Sequence, residues 1–242
     1  MRILVLSDIH GNSDALNAVL AHAGEPDAAW CLGDLVGYGA DANECVEQIR
    51  NLPNLSCILG NHDAAVIGKL SLTMFNTDAM RSIEWTQQNL SKENRNWLAH
   101  LPISLVLEPA TLVHGSPRNP LWEYILDPFT SAVNLSCFDT SLCLVGHSHL
   151  PIAYYIDSAE QDVQFRMMDD NESITLKKLA ILNPGSVGQP RDHNPRASYA
   201  ILDTETLTWQ LHRVPYDVSP IQQRIRAAGL PERHAARLSE GW

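Results

Sequence analysis

The sequence predicts an α/β fold: a two-sheet αββα sandwich with a helical C-terminal tail. Three observations predict it. Early in the chain, short apolar runs alternate with segments of helical periodicity, the pattern of βαβ units and a largely parallel sheet. After Pro151 the runs stay short, are joined by turns and lack long helices, which reads as an antiparallel or mixed second sheet. From Ser219 the composition turns polar and Arg-bearing, with two short helices split by Gly229-Leu230-Pro231. The two halves are expected to pack as a sandwich with helices outside.

In chain order, residues 2–7 are a strand, and Asn12 or Ser13 then caps a helix whose Leu16, Val19, Leu20 and Ala23 share one face. Strand 28–33 leads through a turn with Gly37 and Gly39 to a helix over 41–52; strand 55–60 precedes a third helix from about 62. Residues 70–101 read as helical, with Trp85 and Trp97 packed across the sheet or over its edge. Strands resume at 104–107, 110–114 and 142–146, then at 152–157, 162–168, 174–182, 198–203 and 207–214. The organisation expected is one domain over 1–215 with a tail over 216–242.

At 242 residues the chain suits one large domain. No run approaches the ~18 apolar residues that a membrane helix needs. Strand 3–6 is too short for a signal-peptide core. The five cysteines form no Cys-x-x-Cys pair, and those at 31, 57 and 143 lie in apolar runs. They read as reduced core thiols of a cytoplasmic protein. The net charge of −11 comes with no basic stripe, so long nucleic acid is a poor partner, because Lys and Arg supply most of such affinity. Homo-oligomerisation is left open.

The informative feature is where the polar residues fall. Asp8 and His10 follow strand 2–7, Asp34 follows 28–33, and Asn61, His62 and Asp63 follow 55–60. His114 follows 110–113, and His147 and His149 follow 142–146. In open α/β sheets ligands bind outside the carboxyl ends of the strands, so five such ends imply one shared site. Asp8-x-His10 and His147-x-His149 each put two ligands on one side of an extended segment. Oxygen and nitrogen donors without thiolate suit Mn, Fe, Co, Ni or Zn. One ion seldom takes seven such ligands, whereas two ions sharing a carboxylate use them all. Two carboxylates against two divalent cations leave an excess of about two positive charges, suited to a phosphate oxyanion.

The ordered set Asp-x-His, Gly-Asp, Gly-Asn-His-Asp, His and Gly-His-x-His, spanning residues 8–149, resembles the calcineurin-like metallophosphoesterase superfamily. The strings His114-Gly115-Ser116-Pro117-Arg118 and Asn183-Pro184-Gly185-Ser186-Val187-Gly188 resemble its small stand-alone prokaryotic branch, often described as phosphodiesterases. The resemblance implies that Asp8, His10 and His149 hold a first metal, that Asn61, His114 and His147 hold a second, and that Asp34 bridges them. It implies Mn foremost, and a bridging hydroxide as nucleophile. His62 would meet the leaving-group side of the phosphate, with Asp63 orienting its ring. Protein phosphatases and dinucleoside tetraphosphatases of the superfamily carry Asp-Arg-Gly shortly after Gly-Asp; this chain has Gly37-Tyr38-Gly39 instead, which argues against a protein-phosphatase role.

Two further residues are substrate-binding candidates. Asn12 caps the first helix, whose end points at the metals, and could contact an anion there. Arg118, four residues past His114, is the first choice for a phosphate clamp, ahead of Arg191; its alternative is a surface ion pair. Tyr38 and Trp122 are read as packing residues, with stacking on a nucleobase as the alternative, and His22, His100, His193, His212 and His234 sit in no ligand pattern. The expected activity is hydrolysis of small or nucleotide-like phosphodiesters. The alternatives are a dinucleoside-polyphosphate or nucleotide pyrophosphate hydrolase and, in another class, a non-catalytic metal-binding scaffold.

Overall fold

The computed structural model describes residues 1–156, 162–177 and 179–242. Residue 157 of the expected strand 152–157 and residue 178 of the expected strand 174–182 lie outside the described residues.

The chain opens with three strand–helix steps: β1 (Arg2–Leu6), α1 (Ser13–Ala23), β2 (Ala28–Cys31), α2 (Ala42–Arg50), β3 (Leu55–Cys57) and α3 (Asn61–Val66). Asn12 caps α1 by accepting the Ala15 N–H at 3.1 Å, and the helix buries Ala15, Leu16, Val19 and Ala23. The long segment after α3 holds a 3₁₀ turn (Leu72–Met74), α4 (Thr77–Asn89) and α5 (Lys92–Ala99). Next come β4 (Ser104–Leu107), β5 (Ala110–Val113), α6 (Pro128–Asn134) and β6 (Leu142–Leu144). α6 was not foreseen: seven residues are too few to show a helical period, although Asp127 caps it and Pro128 opens it.

The later strands are β7 (Pro151–Ile156), β8 (Val163–Met167), β9 (Ser173–Thr175), β10 (Ala180–Pro184), β11 (Ala197–Asp203) and β12 (Thr208–Val214). They do not form a sheet of their own. One sheet runs β3-β2-β1-β11-β12-β9 and the other β4-β5-β6-β10-β7-β8. β1 pairs in parallel with β2 and antiparallel with β11, so strands from both halves of the chain share a sheet. The expected strand 174–182 is two strands, with β9 beside β12 and β10 between β6 and β7.

Side-chain alternation makes the layers. In β1, Ile3 and Val5 face the other sheet while Leu4 and Leu6 face α1 and α2. In β11, Ala200 and Leu202 point between the sheets and Tyr199 and Ile201 outward. In β6 and β10, Leu142, Leu144, Ala180 and Leu182 join the same central layer, and Cys143 and Ile181 face outward. The αββα sandwich follows from this two-residue period.

The tail helices α7 (Ser219–Ala227) and α8 (Glu232–Glu240) bury Ile221, Ile225, Leu230, Ala235 and Leu238 together, with Ala40 and Trp85 packed against them. Arg224 pairs with Asp14 of α1 and with Asp41, just ahead of α2. The tail thus lies against the loops that leave β1 and β2. No helix among the described residues is long and apolar enough to cross a membrane.

Candidate metal centre

The parallel strands β1, β2 and β3 of one sheet and β5 and β6 of the other release their ligand-bearing loops at one edge of the sandwich. Asp8, His10, Asp34, His147 and His149 all take left-handed backbone, with φ between 49° and 64°. That region costs a non-glycine residue roughly 1–2 kcal/mol, so other contacts must hold it. Asp8 N–H donates to the Gly33 carbonyl at 3.1 Å, His10 N–H to the Asp34 carbonyl at 3.0 Å, and Ser186 Oγ to the Asp8 carbonyl at 2.7 Å. Two glycines make the close approach: a Cβ at Gly60 would overlap Asp34 Oδ1, and one at Gly146 would overlap Ser7 Oγ.

Three imidazoles are tied from behind. Nδ1–H donates to a main-chain carbonyl in each: His10 to Val36 at 3.1 Å, His114 to Leu32 at 2.8 Å and His149 to Gln189 at 2.5 Å. Such a bond fixes the tautomer and turns a lone pair on Nε2 toward the centre. The lone pairs then face one another. His10 Nε2 lies 3.2 Å from His149 Nε2, and His114 Nε2 lies 3.0 Å from Asn61 Oδ1 and 3.3 Å from Asp34 Oδ2. Asp8 Oδ2 accepts from Ser7 Oγ at 2.6 Å and from the His147 N–H at 3.1 Å, whereas buried Oδ1 has no hydrogen-bond partner and lies 3.3 Å from His149 Nε2. Buried His147 Nε2 is also without a hydrogen-bond partner, its ring 5.1 Å from that of His114. Acceptors aimed at acceptors in a buried site need a cation between them.

The donor set fits that requirement. Asp8, His10 and His149 form one group of convergent ligand atoms, Asp8, Asp34 and His114 a second, and His10, Asp34 and His62 a third. Asp34 serves two of the three, its Oδ1 accepting the His62 N–H at 2.9 Å. Protons respond to the same field. Burial opposes protonation of His114, yet the Asp34 carboxylate beside it pushes the imidazole up to about 10, so that without a metal a proton on Nε2 takes the cation's place. Burial would raise the Asp8 carboxyl, but the His149 and His114 rings outweigh it and hold Asp8 well below the usual carboxylate range. Burial also lowers His62, to about 4, with Asp34 only partly offsetting it.

Three of the sequence-based assignments change. Asp63 does not orient His62: its two oxygens accept the backbone N–H groups of Asp34, Leu35, Val36 and Gly60, while His62 Nδ1 has no hydrogen-bond partner. Asp63 is a brace for the Gly33–Val36 loop. Asn12 has its Oδ1 on Ala15 N–H and its Nδ2 on the Gly188 carbonyl and the Tyr216 hydroxyl, which leaves no donor for an anion. Arg118 is half exposed and spends its guanidinium on Glu123, whose carboxyl it pulls down to about 2.

Arg191 stands where Arg118 was expected. It lines a cleft of about 210 Å³ together with Asp34, Asn61, His62, His147 and His149. Its guanidinium lies over the Tyr38 ring, 5.9 Å from the centroid, and its buried Nε has no hydrogen-bond partner. The sequence read Arg191 as the weaker candidate because proximity in the chain favoured Arg118. Tyr124, stacked on His147 at 3.9 Å, was missed altogether; an aromatic residue between turns carried no signal.

Known proteins give the same reading. The family model described as the calcineurin-like phosphoesterase superfamily domain matches residues 1–207. A crystal structure of a metallophosphoesterase from Sphaerobacter thermophilus superposes with a TM-score of 0.91 at 44% identity, over 100% of this chain and 99% of that one. An uncharacterised protein of Methanocaldococcus jannaschii, MJ0912, is 38% identical over 99% of this chain and 98% of its own. The phosphodiesterase YfcE of Escherichia coli is 29% identical over 86% of this chain and 90% of its own. With the lone pairs of three anchored histidines converging on two carboxylates, the chain belongs to the calcineurin-like phosphoesterase superfamily, as a metal-dependent phosphoesterase of its small prokaryotic branch.

Proposed function

We propose that the protein hydrolyses small or nucleotide-like phosphodiesters at a centre of two divalent cations, with Mn²⁺ foremost and Fe, Zn, Ni or Co also suited. The observation that carries this reading is the set of opposed acceptors around Asp34: His10 with His149 on one side and His114 with Asn61 on the other offer each of two ions its own donors. Asp8, His10 and His149 would hold one cation, Asn61, His114 and His147 the other, and Asp34 would touch both. Bound there, the cations supply Lewis acidity toward phosphate oxygens and toward the attacking water. His62 would serve the leaving oxygen as a neutral N–H donor, burial keeping its ring from charging at neutral pH. Arg191, in the same cleft, would bind a non-bridging phosphate oxygen.

The net charge of −11 favours small substrates over polyanions, and the reduced thiols suit a cytoplasmic setting. The test is turnover of a simple diester, a monoester, a phosphopeptide and duplex DNA by Mn²⁺-loaded protein, with and without chelator. The expected order puts the diester first, with no activity after chelation. Faster turnover of the phosphopeptide would overturn the assignment.

A further inference from the structure

The metal cleft continues into a second one. Tyr38 stands at the junction: its ring lies 4.4 Å from the His10 ring on one side and 4.7 Å from the His234 ring on the other. Tyr38, Tyr124 and Arg191 line both clefts. The second holds about 200 Å³, and α8 supplies its far wall through Arg233, His234 and Arg237. Three guanidinium groups therefore face one carboxylate, Asp78, in a chain whose net charge is −11.

None of the three arginines forms an ion pair among the described residues. Arg233 and Arg237 lie over the Trp242 ring, at 5.7 and 5.9 Å from its centroid, and Arg237 Nε donates to a main-chain oxygen of Trp242, the last residue of the sequence. The ring contacts hold the two side chains in place beside the cleft. Burial, and then the nearby Arg191 charge, push the Arg237 guanidinium down to about 10. Among the described residues, the buried Arg191 Nε and the buried His234 Nδ1 have no hydrogen-bond partner. Uncompensated like charges held together cost stability unless an anion joins them.

We propose that this cleft is a subsite for a second phosphate of the substrate, so that the preferred substrates are diesters that also carry a phosphoryl group a short linker away. The proposal rests on the hydrolase reading above and names the substrate class within it. A phosphate offers oxygens to several guanidinium groups at once, which a single carboxylate does less well. The position beside Tyr38 puts the second phosphate across one aromatic ring from the reacting one.

The experiment uses full-length protein and R233M/R237M. Mn²⁺-loaded samples are given the p-nitrophenyl ester of thymidine 5′-phosphate and the same ester carrying a 3′-phosphate. Wild type should prefer the phosphorylated ester by about tenfold in kcat/KM, and the double variant should lose that preference. Separately, inorganic pyrophosphate binding to EDTA-treated protein is measured by calorimetry, and should weaken by about tenfold or more in the variant. If the double variant melts early, the exposed single variant R233M carries both measurements. A wild-type enzyme with no preference, or pyrophosphate affinity unchanged in the variant, overturns the subsite. If neither ester is cleaved while pyrophosphate binding still depends on the arginines, the hydrolase reading fails and the anion subsite stands.

Discussion

The Asp63 carboxylate accepts the backbone N–H of Asp34 at 2.8 Å and, through its other oxygen, those of Leu35 and Val36 at 2.9 and 3.1 Å. An acidic residue one position past His62 thereby shapes the loop that presents the Asp34 carboxylate, while His62 itself stands free of it. Asp63→Ala should then destabilise the fold by on the order of 3 kcal/mol, through buried N–H groups left without acceptors. Metal content should fall in parallel. A variant of wild-type melting temperature and full metal content, slowed only in turnover, would return Asp63 to a role through His62.

Asp34→Asn should reduce bound metal from near two to one or fewer per chain in protein purified with Mn²⁺, as read by elemental analysis. Full content in the variant would contradict a shared carboxylate. Chelation of the wild type should lower the melting temperature, because ions that bind only the folded state add about 2.7 kcal/mol at a hundredfold excess over Kd.

His62→Ala should keep its metal and lose about 10²–10⁴ in rate on diesters with poor leaving groups, and less on those with acidic ones. With the ring held at about 4 by burial, it is neutral throughout the range above that value. Its contribution to kcat/KM should therefore stay level between pH 6 and 8. A rate limb that falls as pH rises through this window and vanishes in the variant would assign a charged donor instead.

Arg191→Met should raise KM for the diester by about tenfold or more with metal retained, since a charge-assisted contact to phosphate is lost. Arg118→Met should be silent in kinetics, because its guanidinium is engaged with Glu123 outside the cleft. The reverse pattern would place the clamp where the sequence first suggested.

The sequence by itself determined which polar residues meet at one edge of the sandwich. Each of Asp8, Asp34, Asn61, His114 and His147 follows a short apolar run, and the carboxyl ends of such strands meet wherever the sheet is parallel. Strand and helix periods are local properties, so α1, α2 and the strands up to β6 were legible within a few residues. Local pattern does not say which strands pair. β11 and β12 joined the sheet of β1, against expectation, because pairing is decided by which apolar faces can be buried together.

Tertiary structure alone decided the partners of the polar groups. Arg118 and Arg191 are equally basic in sequence, but one meets Glu123 and the other lines the cleft with no ion pair among the described residues. Asp63 adjoins His62 in the chain, yet the helix that starts at Asn61 turns its carboxylate toward the Asp34 loop. Arg233 and Arg237, spaced by one helical turn, had no visible target until α8 packed beside Tyr38. The reason is one of range: a strand's ending is written in a few neighbouring residues, whereas a charge's partner is set by whatever the fold brings within 3 or 4 Å of it.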